Sequence, residues 1–289
     1  MARAAQVAVV TDSTALYPSA EPPTGVMVVP LQVIIGEECY DEGTEQGSPE
    51  AVIAAFAAKQ KVSTSRPAPA TMRDVYARLA REGYDEVLSI HLSAEMSGTF
   101  ESAQLAAREV SIPVTTLDTR AVGPSVGFAA AAAYAAVQRG ASASEAALVA
   151  KARAEATRTL IYVDTLEPLR RGGRIGTAAA LVGSALAVKP LLTLGEGRVV
   201  VMEKVRTAQR ALARMEELAV EAAGEDRVEV AVGHLAAAER AERLAASLTE
   251  RLGDRLAVPV HCGEVGAALG AHVGPGMLAV VVAPALSGT

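Results

Sequence analysis

Short runs of aliphatic residues alternate with longer Ala-rich stretches through the first 160 residues of this 289-residue chain. Residues 7–10 form the first such run, which is wholly apolar, as expected for a strand of a parallel sheet that is covered on both faces. Further strands are predicted at 26–35, where Pro30 interrupts the run, at 87–91 and at 114–117. This alternation predicts βαβ units, a parallel sheet, and ligands at the carboxyl ends of its strands.

The stretches between these strands carry helix signals. Ser48-Pro49-Glu50 supplies an N-cap, a proline at the first helical position and an acid in the first turn, and predicts a helix to about residue 59. Further helices are predicted at 71–82, from 97–99 toward 110, at 128–140 and at 144–158. Small Ala side chains let helices lie close to a sheet. We therefore expect residues 1–160 to form an N-terminal parallel-sheet α/β domain with three α/β/α layers.

The remaining residues have a different rhythm. Strands are predicted at 160–163, 191–194, 198–205, 228–232, 257–261 and 277–283, and Gly195-Glu196-Gly197 is a hairpin signal between two of them. Helices are predicted from residue 207 and over 236–251. A hairpin combined with helices predicts a mixed sheet. Residues 161–289 are therefore expected to form a C-terminal mixed-sheet α/β domain, with a ligand between or within the two domains.

Composition and charge exclude several classes of function. The formal net charge is -6 and no basic face is visible, which argues against a nucleic-acid-binding protein. Cys39 and Cys262 lie far apart without the spacing of metal ligands, so free thiols in a reducing cytoplasm are expected. The first apolar run is too short for a secretory leader, and no stretch has the length of a membrane span. We expect a cytoplasmic protein without a metal, a cofactor or a stable membrane anchor.

Polar segments follow the predicted strands. Residues 11–14 read Thr-Asp-Ser-Thr, which is typical of a capped turn. Residues 62–67 contain three consecutive hydroxyl side chains before a proline, and either cap a helix or converge on an anion. Ser97-Gly98-Thr99 opens a predicted helix, whose unpaired amides attract anions. Anion-binding loops and ordinary capping both remain open for these segments.

Two further segments carry candidate binding residues. His272 stands just before the Gly274-Pro275-Gly276 turn, with Val273 between them, at the expected entrance of the last strand, where either charge state of the imidazole could donate to a carboxylate. A lone His is more often structural, but a place in a loop favours binding. Residues 170–176 join three Arg to three Gly, as in a solvated basic loop or a site for phosphate or carboxylate. Neither a Walker loop nor a dinucleotide-binding G-x-G-x-x-G is present.

One pattern suggests an enzyme. Residues 123–127 read Gly-Pro-Ser-Val-Gly, which matches the G-x-S-x-G nucleophile elbow of hydrolases and would make Ser125 the nucleophile. Asp164 and His234 follow in the order that such a triad requires. An elbow places its Ser directly after a strand, whereas the predicted strand ends near residue 117. A serine hydrolase or esterase that uses Ser125 is therefore the alternative function rather than the main one.

Seven motifs in the same order resemble the DegV family, whose FakB-type members in bacteria bind fatty acids. No one motif is specific alone, but together they span nearly the whole chain. They are T-D-S-T at 11–14, T-S-x-P at 64–67, S-x-x-x-S-G-T at 93–99, D-T-L-E-x-L-x-x-G-G-R-I-G at 164–176, K-P-L-L at 189–192, K-V-R-T at 204–207 and H-V-G-P-G at 272–276.

The resemblance implies a two-domain fold that binds a long-chain fatty acid such as palmitate. It assigns the carboxylate to Thr64, Ser93 and His272. It also places Arg174 and Arg206 near the head group, where a fatty acid kinase subunit would dock. Secondary contacts to ligand or partner are expected from Ser13, Ser65, Ser97 and Gly98. The protein would then present the carboxylate for acyl-phosphate formation and perform no chemical step itself.

The chain departs from the common DegV pattern near the expected head group. Ala94 replaces a frequent Ser, Arg66 replaces a frequent Gln, and Glu95 adds a negative charge. Two other functions stay open beside the hydrolase. The fold is related to the substrate-binding part of dihydroxyacetone kinases, although the missing nucleotide-phosphate loop argues against autonomous kinase activity. The second open function is that of a regulator, which binds lipid only to change shape.

Overall fold

A computed structural model describes residues 5–17, 22–181 and 189–286. The strands are β1 (Val7–Asp12), β2 (Val26–Val29), β3 (Gln32–Ile35), β4 (Glu38–Asp41), β5 (Val62–Ser65), β6 (Glu86–His91), β7 (Val114–Asp118), β8 (Arg158–Tyr162), β9 (Lys189–Gly195), β10 (Arg198–Val205), β11 (Val228–His234), β12 (His261–Glu264) and β13 (Leu278–Pro284). The helices are α1 (Pro49–Ala57), α2 (Pro69–Arg81), α3 (Thr99–Ala107), α4 (Pro124–Gln138), α5 (Ala143–Ala156), α6 (Glu167–Gly172), α7 (Ala208–Ala223), α8 (Ala238–Leu252) and α9 (Ala267–Val273).

The described residues divide into two units. The first unit comprises Met1–Gln32 and Ser65–Glu155, and the second comprises Val33–Thr64 and Ala156–Thr289, each as far as it is described. The second unit thus takes in a segment from the N-terminal half of the chain. The domain boundary near residue 160 stays a prediction beside this division.

The first unit is built on a parallel sheet in the order β2-β1-β6-β7. All six residues of β1 are buried, because a central strand of such a sheet is covered on both faces. One face packs on α2 and α3 through Met72, Tyr76 and Ala106. The Ala-rich α4 is almost wholly buried and packs on β1 and β6. The predicted parallel-sheet α/β domain is confirmed.

The second unit contains a mixed sheet in the order β10-β9-β8-β13-β11-β12. Its neighbours are antiparallel except for β11 and β12, which run parallel. The predicted hairpin joins β9 and β10, and Glu196 (φ 51°) and Gly197 (φ 76°) both take the left-handed conformation of a tight hairpin turn. Helices α7 and α8 cover the sheet with Met215 and Leu248. The predicted mixed sheet is confirmed.

A small sheet, β4-β3-β5, belongs mainly to the second unit. Residues 63–65 lie in its strand β5 rather than in the expected loop. The strand predicted at 26–35 is divided into β2 and β3 at Pro30. Proline lacks the backbone N–H that a continuous strand would donate.

Two predictions about the last segments were wrong. The strand expected at 257–261 is displaced to β12, because Pro259 cannot donate to a ladder and only Leu256 bridges to Val228 before it. His272 lies in the last turn of α9 rather than in a loop at the strand entrance. Helix α9 is short and contains Gly270, so its sequence carries little helical pattern. Of the helices that the structure describes, none is both long and apolar enough to cross a bilayer.

Candidate ligand-binding site

In the second unit, β5 and α9 bring two of the predicted carboxylate ligands together. Helix α9 ends at Val273, because the next residue, Gly274, has a φ of 74° in the left-handed region that stops a helix, and His272 therefore lies in the final turn. Strand β5 presents Thr64 to the same place. The Oγ1 of Thr64 lies 2.7 Å from the Nε2 of His272, and the two residues are 208 positions apart in the sequence.

The other ring nitrogen of His272 is enclosed. Its Nδ1 is buried and has no hydrogen-bond partner among the described residues. The backbone of Gly172 packs against it so closely that a β-carbon at position 172 would overlap Nδ1. Burial, and secondarily the charge of Arg174, lower the pKa of His272 to about 4. The imidazole is therefore neutral at neutral pH. Of the two charge states that were expected to be able to donate to a carboxylate, the structure favours the neutral one.

A cavity of about 460 Å³ lies beside this imidazole. Its wall includes His272, Phe56 at the end of α1, Arg171 in α6 and Arg174 just after that helix. Arg174 donates from its guanidinium to the carbonyl oxygen of Gly172 at 2.6 Å, which holds the cation beside the site. Arg174 and His272 therefore line one cavity of the second unit, and Thr64 lies next to it through its contact with His272.

A second set of contacts fixes the turn that follows His272. Arg240 donates to the carbonyl oxygen of Gly276 at 2.8 Å and to the carboxylate of Asp164 at 3.3 Å. Asp164 also accepts from the hydroxyl of Tyr162 at 2.6 Å. These residues tie the Gly-Pro-Gly turn to the end of β8. The sequence does not predict the contact of Arg240 with this turn, because nothing local in helix α8 indicates it.

Ser93, the third predicted ligand, belongs to the first unit. It lies two residues after the end of β6 and is fully buried. Its backbone N–H donates to the carbonyl oxygen of Ala121 at 2.8 Å, and its Oγ accepts from the N–H of Glu95 at 3.3 Å. The Ser93 hydroxyl is therefore held at the carboxyl end of the parallel sheet, where ligands of such sheets bind.

A buried polar network beneath Ser93 is centred on Asp12. The Asp12 carboxylate accepts from the N–H of Leu92 at 2.9 Å and of Thr14 at 3.2 Å, and it lies 3.0 Å from the Nδ1 of His91. The His91 Nε2 lies 2.8 Å from the Oγ of Ser89. Asp12 and His91 end neighbouring strands, and that pairing could have been predicted from the parallel order. The network orders the loop that carries Ser93.

The residues expected to make secondary contacts are placed as follows. The Oγ of Ser13 accepts from the N–H of Leu31 at 2.8 Å, and Ser65 donates to the carbonyl oxygen of Arg66 at 3.3 Å. Ser97 lies 2.8 Å from Thr99 through their hydroxyl oxygens. Gly98 is the N-cap of α3, and Arg66 packs over it while pairing with Glu101.

Arg206 is exposed just after β10, before α7 begins at Ala208. It does not line the cavity beside His272. The next residue, Thr207, is the N-cap of α7, and its hydroxyl accepts from the backbone N–H of Arg210.

Ser125 does not occupy a nucleophile elbow. Strand β7 ends at Asp118, and Ser125 is the second residue of α4, with only 1% of its surface exposed. The structure requires a glycine at both glycine positions of the motif. Gly123 takes a φ of 68° before the helix, and a β-carbon on Gly127 would overlap the backbone of Leu16. The geometry gives no support to a hydrolase that uses Ser125.

Among the described residues, no group of three or more His, Cys, Asp or Glu side chains is arranged to hold a metal ion. Cys39 is an exposed free thiol and Cys262 a partly buried one. Burial raises the pKa of the Cys262 thiol, with a secondary contribution from the charge of Glu242.

Comparison with known proteins gives a consistent result. The family model described as "Uncharacterised protein, DegV family" matches residues 6–285. A DegV domain-containing protein of Streptomyces coelicolor is 49% identical over 279 residues, which cover 96% of this chain and 98% of the relative. A DegV domain-containing protein of Mycobacterium tuberculosis is 34% identical over 278 residues, 96% of each chain.

Solved structures agree with this result. The structure of DegV from Bacillus subtilis, described as a fatty acid binding protein, has a TM-score of 0.88 and 31% identity, and the match covers 97% of this chain and 100% of that one. A DegV family protein from Thermus thermophilus, described by its fatty acid binding, has a TM-score of 0.86 and 30% identity with the same coverage.

The parallel sheet, the mixed sheet and the Thr64–His272 pair define a two-unit α/β protein of the class to which these fatty-acid-binding structures belong. The chain belongs to the DegV family. The resemblance found in the seven sequence motifs is thereby confirmed.

Proposed function

We propose that this protein binds a long-chain fatty acid such as palmitate and holds its carboxylate at Thr64 and His272. The observation that carries the proposal is the 2.7 Å contact between these two side chains beside a cavity. Support also comes from the Bacillus subtilis and Thermus thermophilus relatives, which are described as binding fatty acids. Ser93, on the first unit, is proposed as a further donor to the carboxylate.

The neutral imidazole gives Thr64 a defined role. When the ring proton is on Nε2, His272 donates to the Oγ1 of Thr64. The Thr64 hydroxyl then keeps its own proton for a ligand oxygen. A buried carboxylate needs such donors, because leaving it without hydrogen bonds in an apolar place is costly. Each buried methylene of the acyl chain contributes roughly 0.8 kcal/mol, so the chain supplies most of the affinity and the donors supply orientation.

The chemical step is assigned to a partner. We propose that a fatty acid kinase subunit brings ATP to the bound carboxylate in the cytoplasm. A carboxylate oxygen attacks the γ-phosphorus, a new O–P bond forms, the bond to the bridging oxygen breaks, and ADP leaves. This protein is then a carrier without its own catalytic group or cofactor. The exposed Arg206 is proposed as a contact for the partner.

The first test is mass spectrometry of lipid extracted from the natively purified protein. Wild type should contain about one fatty acid per chain, and His272→Ala should be depleted. His261→Ala, a partly buried histidine of the same unit on β12, is the matched control and should keep the lipid. An empty wild type that also refuses added palmitate would disprove the proposal.

The carrier role is tested separately. The loaded protein is mixed with a candidate kinase subunit and ATP, and release of ADP is measured. Release should need both proteins and the fatty acid, and Arg206→Ala should raise the concentration of carrier required. Release of ADP by this chain alone that depends on the fatty acid would show that it is itself a kinase.

A further inference from the structure

The cavity beside His272 collects positive charge. Of the described residues that line it, four are cationic and none is acidic. The cations are Lys59, Lys61, Arg171 and Arg174. The chain as a whole carries a formal net charge of -6, so this concentration is a local feature and not a reflection of composition. A low-dielectric cleft lined by one sign of charge attracts the opposite sign.

Two of these cations have no ion-pair partner in the described part of the chain. Lys59 and Lys61 are both exposed, and neither ammonium group forms an ion pair with a described residue. By contrast, Arg171 pairs with Glu167 at 2.8 Å, and Arg174 donates to the carbonyl oxygen of Gly172. The lysines are thus the groups best able to respond to an added anion. The arginines add fixed positive potential.

The backbone directs the two lysines to one side. Helix α1 ends at Ala57, and Lys59 follows with a φ of 56°, a left-handed conformation that turns the chain toward β5. Lys61 comes directly before β5, three residues before Thr64. The turn therefore carries both charges next to the strand that holds the proposed carboxylate ligand.

A single carboxylate does not account for this much charge. The Thr64 hydroxyl, which accepts from the neutral His272, already offers it a hydrogen bond, and one guanidinium lies beside this pair. A phosphoryl group carries about -1.5 to -2 charges at neutral pH and three strong acceptor oxygens. Ammonium and guanidinium groups are its usual protein partners.

We infer that this cavity is a phosphoryl-binding site, which holds the phosphate of an acyl phosphate while the acyl carbonyl stays at Thr64 and His272. The inference rests on the proposed function, because it takes the acyl group to be bound there. It adds Lys59 and Lys61 as residues that distinguish the phosphorylated product from the free fatty acid. The carrier would thereby retain the reactive product after the kinase step.

The test compares two ligands with the same chain, palmitate and a non-hydrolysable acylphosphonate, by titration calorimetry. For the double variant Lys59→Gln/Lys61→Gln, the dissociation constant of the phosphonate should rise by about tenfold or more, as expected when charge-assisted hydrogen bonds are lost. The constant for palmitate should stay within about threefold of wild type. Charge reversal by Lys61→Glu should weaken phosphonate binding further.

The control variant Arg139→Gln/Lys151→Gln removes the same two charges from exposed positions of the first unit and should bind both ligands as wild type does. Thermal unfolding confirms that each variant is folded. An unchanged phosphonate constant, or an equal loss for both ligands, would overturn the inference while leaving the fatty-acid proposal intact. Failure of wild type to bind palmitate would instead overturn the proposed function and the inference with it.

A further arm separates the source of the phosphate. Inorganic phosphate and AMP are titrated into wild type without any acyl ligand. Weak binding of both, in the millimolar range or above, agrees with a phosphoryl group delivered by the acyl chain. Tight binding of either that is lost in the lysine double variant would identify a site for free phosphate compounds and overturn the acyl-phosphate assignment.

Discussion

Gly172 and His272 are in direct contact: the glycine backbone packs on the imidazole where any β-carbon would overlap the Nδ1 atom. This contact closes one side of the ring and leaves Nε2 for Thr64. The imidazole is thereby held by packing on one side and by a hydrogen bond on the other. The proposed head-group site depends on this fixed orientation.

The first prediction concerns Gly172→Ala. The added methyl group should displace the imidazole, break its contact with Thr64, and weaken palmitate binding by about tenfold, the equivalent of one hydrogen bond. Titration calorimetry measures this. Gly173→Ala is the matched control, since no atom lies close to its β-carbon position. The φ of Gly173 is 70°, so an alanine there is strained without touching the imidazole. That change should lower stability by about 1 kcal/mol and leave binding nearly unchanged. Equal affinities for Gly172→Ala and wild type would contradict the prediction.

The second prediction separates the hydroxyl of Thr64 from its shape. Thr64→Val keeps the volume but removes the hydroxyl, and should weaken palmitate binding by about tenfold, since a donor worth about 1–1.5 kcal/mol is lost. Thr64→Ser keeps the hydroxyl and should bind within about threefold of wild type. A fluorescent fatty acid displaced by palmitate gives both constants. If Val and Ser bind alike, Thr64 does not contact the carboxylate.

The third prediction concerns the charge of His272. Burial, and then Arg174, lower its pKa from 6.5 to about 4, so NMR titration of the ring should show a neutral imidazole at pH 5.5. Arg174→Gln should raise this pKa but leave it below 6.5, because burial is the larger cause. An imidazole that titrates near pH 6.5 in the wild type would disagree with the structure.

The same shift has a consequence for stability. Because the folded pKa is the lower one, the unfolded chain binds more protons between about pH 4 and 6.5. The contribution of His272 to the free energy of unfolding should therefore fall as the pH drops through this window, by on the order of 3 kcal/mol, and stay level above it. Urea unfolding across this range measures the slope. His272→Asn should reduce that slope.

The fourth prediction concerns Asp12. Its buried carboxylate accepts from Leu92, Thr14 and His91, and Asp12→Asn would turn one acceptor into a donor that faces another donor. We expect a loss of about 2–4 kcal/mol in the free energy of unfolding, as for a broken buried network. Asp85→Asn is the control, because Asp85 is exposed and accepts from Gln6 at the surface. Losses of the same size for both would refute a special role for Asp12.

Local sequence signals predict some elements of this fold and not others. Ser48 was identified as an N-cap from sequence, and its Oγ accepts from Ala51 as expected. Helix α9 was missed, because seven residues with a glycine among them carry too little pattern. At strand β5 the sequence predicts a loop instead, since its hydroxyl side chains resemble capping residues as much as strand residues.

Local pattern sufficed for the parallel sheet, the mixed sheet and the hairpin, because burial on a sheet requires apolar runs and a tight turn requires particular residues. The seven motifs sufficed for the family. The partners of individual side chains were decided only by tertiary structure. Thr64 meets His272 across 208 positions, and two lysines after α1 line the same cavity as Arg171 in α6 and Arg174 just after it. Such distant contacts depend on how separate elements pack, and no local pattern of residues encodes that packing.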